Sequence, residues 1–206
     1  SVTITAPSAI SATSSQSSNN GYAVSCNGGN DGTATLALSG GTGTLTADWG
    51  IANPNALSVG SYSYTITDSL NCTYTSNVSI TGPTAISAIS NITNVSCAGG
   101  NDGTATLTLS GGTGTLTVDW GTVNPNALSI GTYSFTITDG NNCTFTDSIS
   151  ITQPSAIVVS TTTTHVSCNG GNNGTATLTL SGGTGTLIAN WGTSTPNALT
   201  AGTGIQ

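Results

Sequence analysis

The chain repeats itself in register. The segment VSCNGGNDGTATLALSGGTGTL at residues 24–45 returns as VSCAGGNDGTATLTLSGGTGTL at 95–116 and as VSCNGGNNGTATLTLSGGTGTL at 166–187, a step of 71 residues each time. The same step carries Trp49 to Trp120 and Trp191, Pro54 to Pro125 and Pro196, and Cys72 to Cys143. Solenoid coils repeat every ~20–50 residues, so a 71-residue period describes a small domain used several times, not one turn of a superhelix.

Inside a copy the apolar period is two. Ala105, Leu107 and Leu109 alternate with Thr104, Thr106 and Thr108, the signature of a half-buried strand. Leu116, Val118 and Trp120 alternate in the same way, as do Tyr133, Phe135 and Ile137. Glycine and Asx clusters at 99–103, 111–114, 124–126 and 139–142 separate these runs and supply turn chemistry. No stretch has helical periodicity. The fold class expected is all-β: tandem small antiparallel β-sandwiches of immunoglobulin-like type, with Trp120, Tyr133, Phe135 and Phe145 in the core. The prolines of ITAP, ITGP and ITQP mark the boundaries, giving residues 1–6 as the last strand of a preceding repeat, 7–82 as the first repeat, 83–153 as the second and 154–206 as an incomplete third. On this reading the chain is an excerpt of a longer array. A donated strand, residues 1–7 of a neighbouring copy completing the third repeat, is the alternative. Short proline-bearing joints limit inter-domain swing, so the array is expected to be stiff.

Cys26 and Cys72 are 46 residues apart, and so are Cys97 and Cys143. One pair per repeat predicts the intra-repeat disulfides Cys26–Cys72 and Cys97–Cys143. Cys168 is left unpaired in this segment, with its partner expected at position 214, past Gln206. A domain of this size buries only ~60% of its unfolded surface, so a crosslink matters to it. Disulfides in turn imply an oxidising, extracellular setting. Buried free thiols are the competing reading. Zinc fits poorly, because no CxxC occurs and the single histidine, His165, is matched by Asn94 one copy earlier.

The charge inventory removes whole classes of function. The chain has no Lys, Arg or Met and only seven acidic residues, all Asp, so charged residues make up 3% of it. Nothing neutralises phosphates, which excludes nucleic acid, and no polybasic patch can hold an anionic membrane. No apolar run approaches the ~20 residues of a membrane span, so direct membrane insertion is not expected. Lys-dependent isopeptide braces cannot form, and proteases specific for Lys or Arg have no site. Catalysis lacks candidates: there is no Lys, Arg or Glu, His165 lies in the Thr-rich run TTTTHVSC, and SGGTGTL reads as a strand-to-strand turn because no helix or lysine follows it. No catalytic or cofactor-binding residue is assigned, and no cofactor. Calcium is the alternative weighed, since Asp31, Asp48 and Asp68 recur as Asp102, Asp119 and Asp139. Calcium wants six to eight oxygens, several of them carboxylate, yet the third copy has Asn173 and Asn190 at the first two positions. Turn and strand-edge roles account for these residues more simply.

The run VSCxGGNxGTATLxLSGGTG, the Trp that follows it and ALSxGTYSxTITDxxNCT at 127–144 resemble the SprB-type repeat of Bacteroidetes cell-surface adhesins. The resemblance covers nearly the whole chain. Gly204, Ile205 and Gln206 depart from it, standing where the repeat has Tyr, Ser or Thr, and Phe or Tyr. It implies a very long surface protein, exported by the secretion route of gliding bacteria, with roles in attachment and gliding motility and no catalysis. It also implies O-glycosylation at Asp-Ser-aliphatic motifs, here Ser69 in Asp68-Ser69-Leu70 and Ser148 in Asp147-Ser148-Ile149. The function expected is therefore an extracellular structural and adhesive repeat region, a stiff stalk or surface filament. Its partners would be surfaces or glycans, or other copies of itself. An accessory repeat region of a secreted enzyme is the first alternative; ice or crystal binding, suggested by Thr-x-Thr runs, is the minor one.

Overall fold

The computed structural model describes residues 2–192 and 195–200. Every regular element among them is a strand, and the sheets are small and antiparallel, as the period-two pattern requires. The first repeat contains β1 (Ser11–Gln16), β2 (Ala34–Ser39), β3 (Thr46–Asp48), β4 (Gly60–Thr67) and β5 (Thr73–Ile80). The second contains β6 (Ser87–Thr93), β7 (Thr104–Ser110), β8 (Thr117–Asp119), β9 (Gly131–Thr138) and β10 (Thr144–Ile151). In the third, β11 (Val158–Thr164) and β12 (Thr175–Ser181) are described. Each complete set makes a two-stranded sheet, β1-β2 or β6-β7, and a three-stranded one, β3-β4-β5 or β8-β9-β10. The proline boundaries at Pro83 and Pro154 fall in unpaired segments, between β5 and β6 and between β10 and β11.

Two compact units organise these strands. One comprises Ser1–Ile89, Leu107–Gly121 and Ser134–Asp147; the other comprises Ser90–Thr106, Thr122–Tyr133 and Ser148–Gln206. The second repeat thus contributes to both.

In the first unit the register sets the core. Pairing Gly60 with Ile80 and Thr67 with Thr73 turns Tyr64, Ile66, Val78 and Ile80 to one side. There they meet Ala23, Val24, Ala34 and Leu57, while Leu36, Leu38 and Trp49 close the edges half-buried. Burying such an aliphatic side chain contributes roughly 1.5–3 kcal/mol. The other face carries hydroxyls: Ser11 bonds Ser39 at 2.7 Å and Ser15 bonds Thr35 at 2.7 Å. This cross-strand Ser/Thr pairing lets a nearly uncharged chain satisfy its outer surface.

In the second unit Gly103 and Leu128 exchange backbone hydrogen bonds of 2.8 and 3.0 Å, and Ala105 donates to Pro125 O at 2.8 Å. Leu128 and Ile151, each 1% exposed, are buried here. β11 pairs with β12 from Val158–Ser181 to Thr164–Thr175.

The core is more aliphatic than the sequence suggests. Of the aromatic residues expected inside, Phe135 is buried, but Trp120, Tyr133 and Phe145 are half-buried. Trp120 stacks on Phe135 at 5.0 Å between ring centroids, and Tyr133 keeps its hydroxyl at the surface, donating to Ser129 O at 3.1 Å. Rings with a polar end sit where that end can be satisfied. Residues 2–6 form no strand and leave Val2 94% and Ile4 93% exposed, whereas the matching Val78 and Ile80 are buried in β5. Ser1, Gly204, Ile205 and Gln206 lie outside the described residues.

Candidate functional site: the junction between repeats

The tip of the β9–β10 hairpin is a five-residue loop, Asp139-Gly-Asn-Asn-Cys143. Asp139 N donates to Cys143 O at 3.0 Å and Asn142 N to Asp139 O at 3.1 Å. Asn142 takes φ 63°, a left-handed conformation that Asn tolerates better than most residues. The carboxylate of Asp139, 5% exposed, organises the loop. One oxygen accepts the N–H groups of Asn141 and Cys143, both at 2.9 Å; the other accepts the N–H and hydroxyl of Thr113, also both at 2.9 Å. Burial alone would raise the pKa of Asp139. The Cys143, Thr113 and Asn141 donors outweigh it and hold the group below its ordinary value. Asp68 repeats the arrangement with Leu70, Cys72 and Thr42, and is lowered chiefly by the Cys72 N–H.

The facing wall is the loop after Val24. Ala23 N and Val24 N both donate to Thr81 O, at 2.9 and 3.1 Å, anchoring this loop beyond the C-terminal end of β5. Asp31 accepts Ser25 N at 3.1 Å, and Gly29 N donates to Cys26 O at 3.0 Å, so Cys26 is presented on a closed turn. Hydrogen bonds from Ser25 hold Asp31 below the usual carboxylate range.

The two walls are joined covalently. Cys26 and Cys143 form a disulfide with a Cα–Cα distance of 5.7 Å, across 117 residues of sequence. Asn141 supports the bond, donating from Nδ2 to Ser25 O at 3.0 Å and accepting from Asn20 Nδ2. Asn27 Nδ2 reaches Pro83 O at 3.0 Å. A cysteine of the first repeat is thus bonded to the hairpin tip of the second. The junction borders a cavity of about 310 Å³, with Ala85, Ile86 and Gly112 on its wall.

This corrects the expected pairings Cys26–Cys72 and Cys97–Cys143. Cys72 immediately precedes β5, whereas Cys26 follows the loop anchored at Thr81, just past the end of β5. Eight residues of strand separate those ends by roughly 25 Å. A disulfide needs Cα atoms within about 7 Å. Even spacing along the chain carries no information about which end of a strand each cysteine occupies. Cys72, Cys97 and Cys168 are free and exposed.

Other candidates find local roles. Asp102 and Asn173 accept Ser96 N and Ser167 N, at 3.1 and 3.0 Å, as Asp31 accepts Ser25 N. Asp48, Asp119 and Asn190 each accept the N–H two residues on, at 2.8, 2.7 and 2.9 Å. A neutral amide oxygen does the same work, so Asn173 and Asn190 keep these contacts in the third copy. No group of three or more His, Cys, Asp or Glu that could hold a metal occurs among the described residues. His165 is exposed, one residue past β11. Ser69 is exposed at a hairpin tip, where its hydroxyl accepts Thr44 N at 2.9 Å, and Ser148 is exposed on β10. The sequence did not mark Asn20 and Asn141 as site residues. Its available signal was the Asp-x-x-x-Cys spacing at 68–72 and 139–143, each placed between two strands.

Antiparallel strands repeated in register, with a disulfide joining one repeat to the next, define an all-β tandem-repeat protein. The family model of the SprB repeat matches three segments, 24–48, 89–124 and 160–186, one in each copy, and so bears out the resemblance carried by the VSCxGGNxGTATL motif. The SprB repeat is a structural repeat associated with cell-surface adhesins. No curated protein and no solved structure matches the chain.

Proposed function

We propose that the chain is part of an extracellular stalk or filament on a bacterial surface, in which repeats hold a distal region away from the cell and adhere weakly along their length. The observation that carries this reading is the Cys26–Cys143 bond, which ties the first repeat covalently to the second in addition to the short chain joint between them. A load-bearing array gains from covalent continuity between modules, and a disulfide suits the oxidising exterior. The hydroxyl-rich, nearly uncharged outer face suits contact with neutral polyhydroxy surfaces such as glycans. Affinity on this reading comes from the number of copies, each contributing little. No cofactor takes part, and Ser69 and Ser148 are the candidate O-glycosylation sites.

Immunogold electron microscopy of intact cells producing the protein tests the proposal. Labelled fibres outside the cell, with beads at a regular axial step, are expected. Labelling that appears only after lysis, or isolated globules, would overturn it.

A further inference from the structure

Asn-Gly pairs occur at 20–21, 27–28, 169–170 and 173–174. In such a pair the glycine nitrogen, unshielded by a side chain, can reach the asparagine's amide carbon and close a succinimide ring. Closure needs a nitrogen that no hydrogen bond holds and a side chain not fixed at both of its polar atoms. The pair at 173–174 has neither freedom. Gly174 is buried and its N donates to Leu199 O at 3.2 Å, while Asn173 Oδ1 accepts Ser167 N at 3.0 Å and Nδ2 donates to Ser167 Oγ at 2.8 Å.

The pairs at 20–21 and 27–28 have both, and turn geometry is the reason. Asn19 N and Tyr22 N bond each other's carbonyls at 2.7 and 3.1 Å around the first pair, and Gly29 N donates to Cys26 O at 3.0 Å around the second. A four-residue turn uses the N–H of its last residue and leaves that of its third free; Gly21 and Gly28 are third in theirs. Among the described residues nothing accepts from Gly21 N or Gly28 N, and nothing donates to Oδ1 of Asn20 or Asn27, both exposed. A Cβ on either glycine would meet nothing within 4 Å, so the ring has room to close. Both asparagines commit their amide nitrogen to the junction. Asn27 Nδ2 donates to Pro83 O at 3.0 Å, at the start of the second repeat, and Asn20 Nδ2 donates to Asn141 Oδ1 on the hairpin tip. Asn27 follows Cys26 directly and Asn141 shares its loop with Cys143, so these contacts flank the disulfide.

We propose that Asn20 and Asn27 are sites of spontaneous deamidation, and that their conversion loosens the junction around the Cys26–Cys143 disulfide. The glycine nitrogen loses its proton and bonds to the side-chain carbon, and the amide nitrogen leaves as ammonia. Water then opens the succinimide at either carbonyl, giving aspartate or isoaspartate. An ionised carboxylate only accepts hydrogen bonds. At residue 27 it sets an oxygen against Pro83 O, and at residue 20 against Asn141 Oδ1, where a donor stood before. The chain has no Lys or Arg to neutralise the new charges. Ala98 stands at the position of Asn27 in the second copy, so this reaction is not common to every repeat. The inference concerns the chemistry of the junction and does not depend on the surface role proposed above.

The test uses the full chain with its Cys26–Cys143 bond intact, aged in mildly alkaline buffer. Chymotryptic mass mapping reads the conversion of each amide to acid, and cleavage after Tyr22 separates Asn20 from Asn27. Both should convert at least about tenfold faster than Asn173, where the hydrogen bonds to Ser167 and Leu199 must break first. The aged chain, and the fresh double variant Asn20→Asp with Asn27→Asp, should lose the disulfide to a thiol reductant at least about fivefold faster than the fresh chain, because the hydrogen bonds flanking it are gone. The double variant Asn20→Gln with Asn27→Gln closes the ring poorly, so ageing should not raise its rate of reduction. Conversion of Asn173 as fast as Asn20 and Asn27 would overturn the proposal, as would an Asp variant whose disulfide is reduced no faster than that of the fresh chain.

Discussion

Asp139 holds the tip of its hairpin through four donors, two of them the N–H groups of Asn141 and Cys143. Replacing it with Ala leaves those donors, part-buried at Asn141 and Cys143 and buried at Thr113, without their acceptor and should destabilise the protein by about 2 kcal/mol. Asp139→Asn keeps one acceptor oxygen and should cost less, as Asn173 illustrates at the equivalent of Asp31. Because donors favour the carboxylate, the folded pKa of Asp139 lies below the ordinary 3.8, as do those of Asp31, Asp68 and Asp102. The stability these groups contribute is fully present above 3.8 and is lost as pH falls through the folded values. Urea unfolding at a series of pH values should show stability falling with acid below about pH 4, with a shallower fall in Asp139→Asn. A flat profile there would refute the clamp.

Among the elements, the strands were legible because a two-residue period is a local property and each run ends in a turn former. Ala105, Leu107 and Leu109 do face inward from β7, and Val118 from β8. Burial of the aromatic rings was less legible, since alternation gives the face of a side chain but not its depth. The glycines after β7 and β8 separate two causes of intolerance. Gly111 has φ +79°, and a Cβ there would lie 1.9 Å from Ala85 O. Gly121 has φ +62°, and its Cβ would meet nothing within 4 Å. Gly121→Ala should therefore cost only the left-handed backbone penalty, about 1–2 kcal/mol. Gly111→Ala adds a backbone collision and should cost about 4 kcal/mol or more. Equal losses for the two variants, measured by denaturant unfolding, would contradict this assignment.

At the scale of the molecule, one disulfide and the absence of Lys and Arg dominate the expected behaviour. Closing a loop of 117 residues should stabilise by about 5 kcal/mol in the chain-entropy model. A thiol reductant should accordingly lower the melting temperature markedly, and Cys26→Ser should reproduce most of that loss. With no Lys or Arg in the chain, no aspartate has a salt-bridge partner among those side chains. Melting temperatures in low and high sodium chloride should therefore agree within a few degrees, and a shift as large as that caused by reduction would contradict this. Non-reducing chymotryptic mapping should recover Cys26 linked to Cys143, with Cys72 unlinked to Cys26.

The sequence by itself determined the repeat, the all-β class, most of the strand and turn positions and the likeness to the SprB repeat, because each of these is written in residues close together or in register; residues 2–6, expected as a strand, form none. It also contains no Lys or Arg with which to neutralise phosphates. Cysteine pairing was decided only by the tertiary structure. Cysteines 46 residues apart and cysteines 117 residues apart are equally regular in a 71-residue repeat, so spacing could not choose between them. The choice came from the placement of Cys26 and Cys72 at opposite ends of an eight-residue strand, and of Cys143 on the hairpin tip that meets Cys26. Which end of a strand faces which neighbour is set when strands pair and repeats pack, and a one-dimensional period does not contain it.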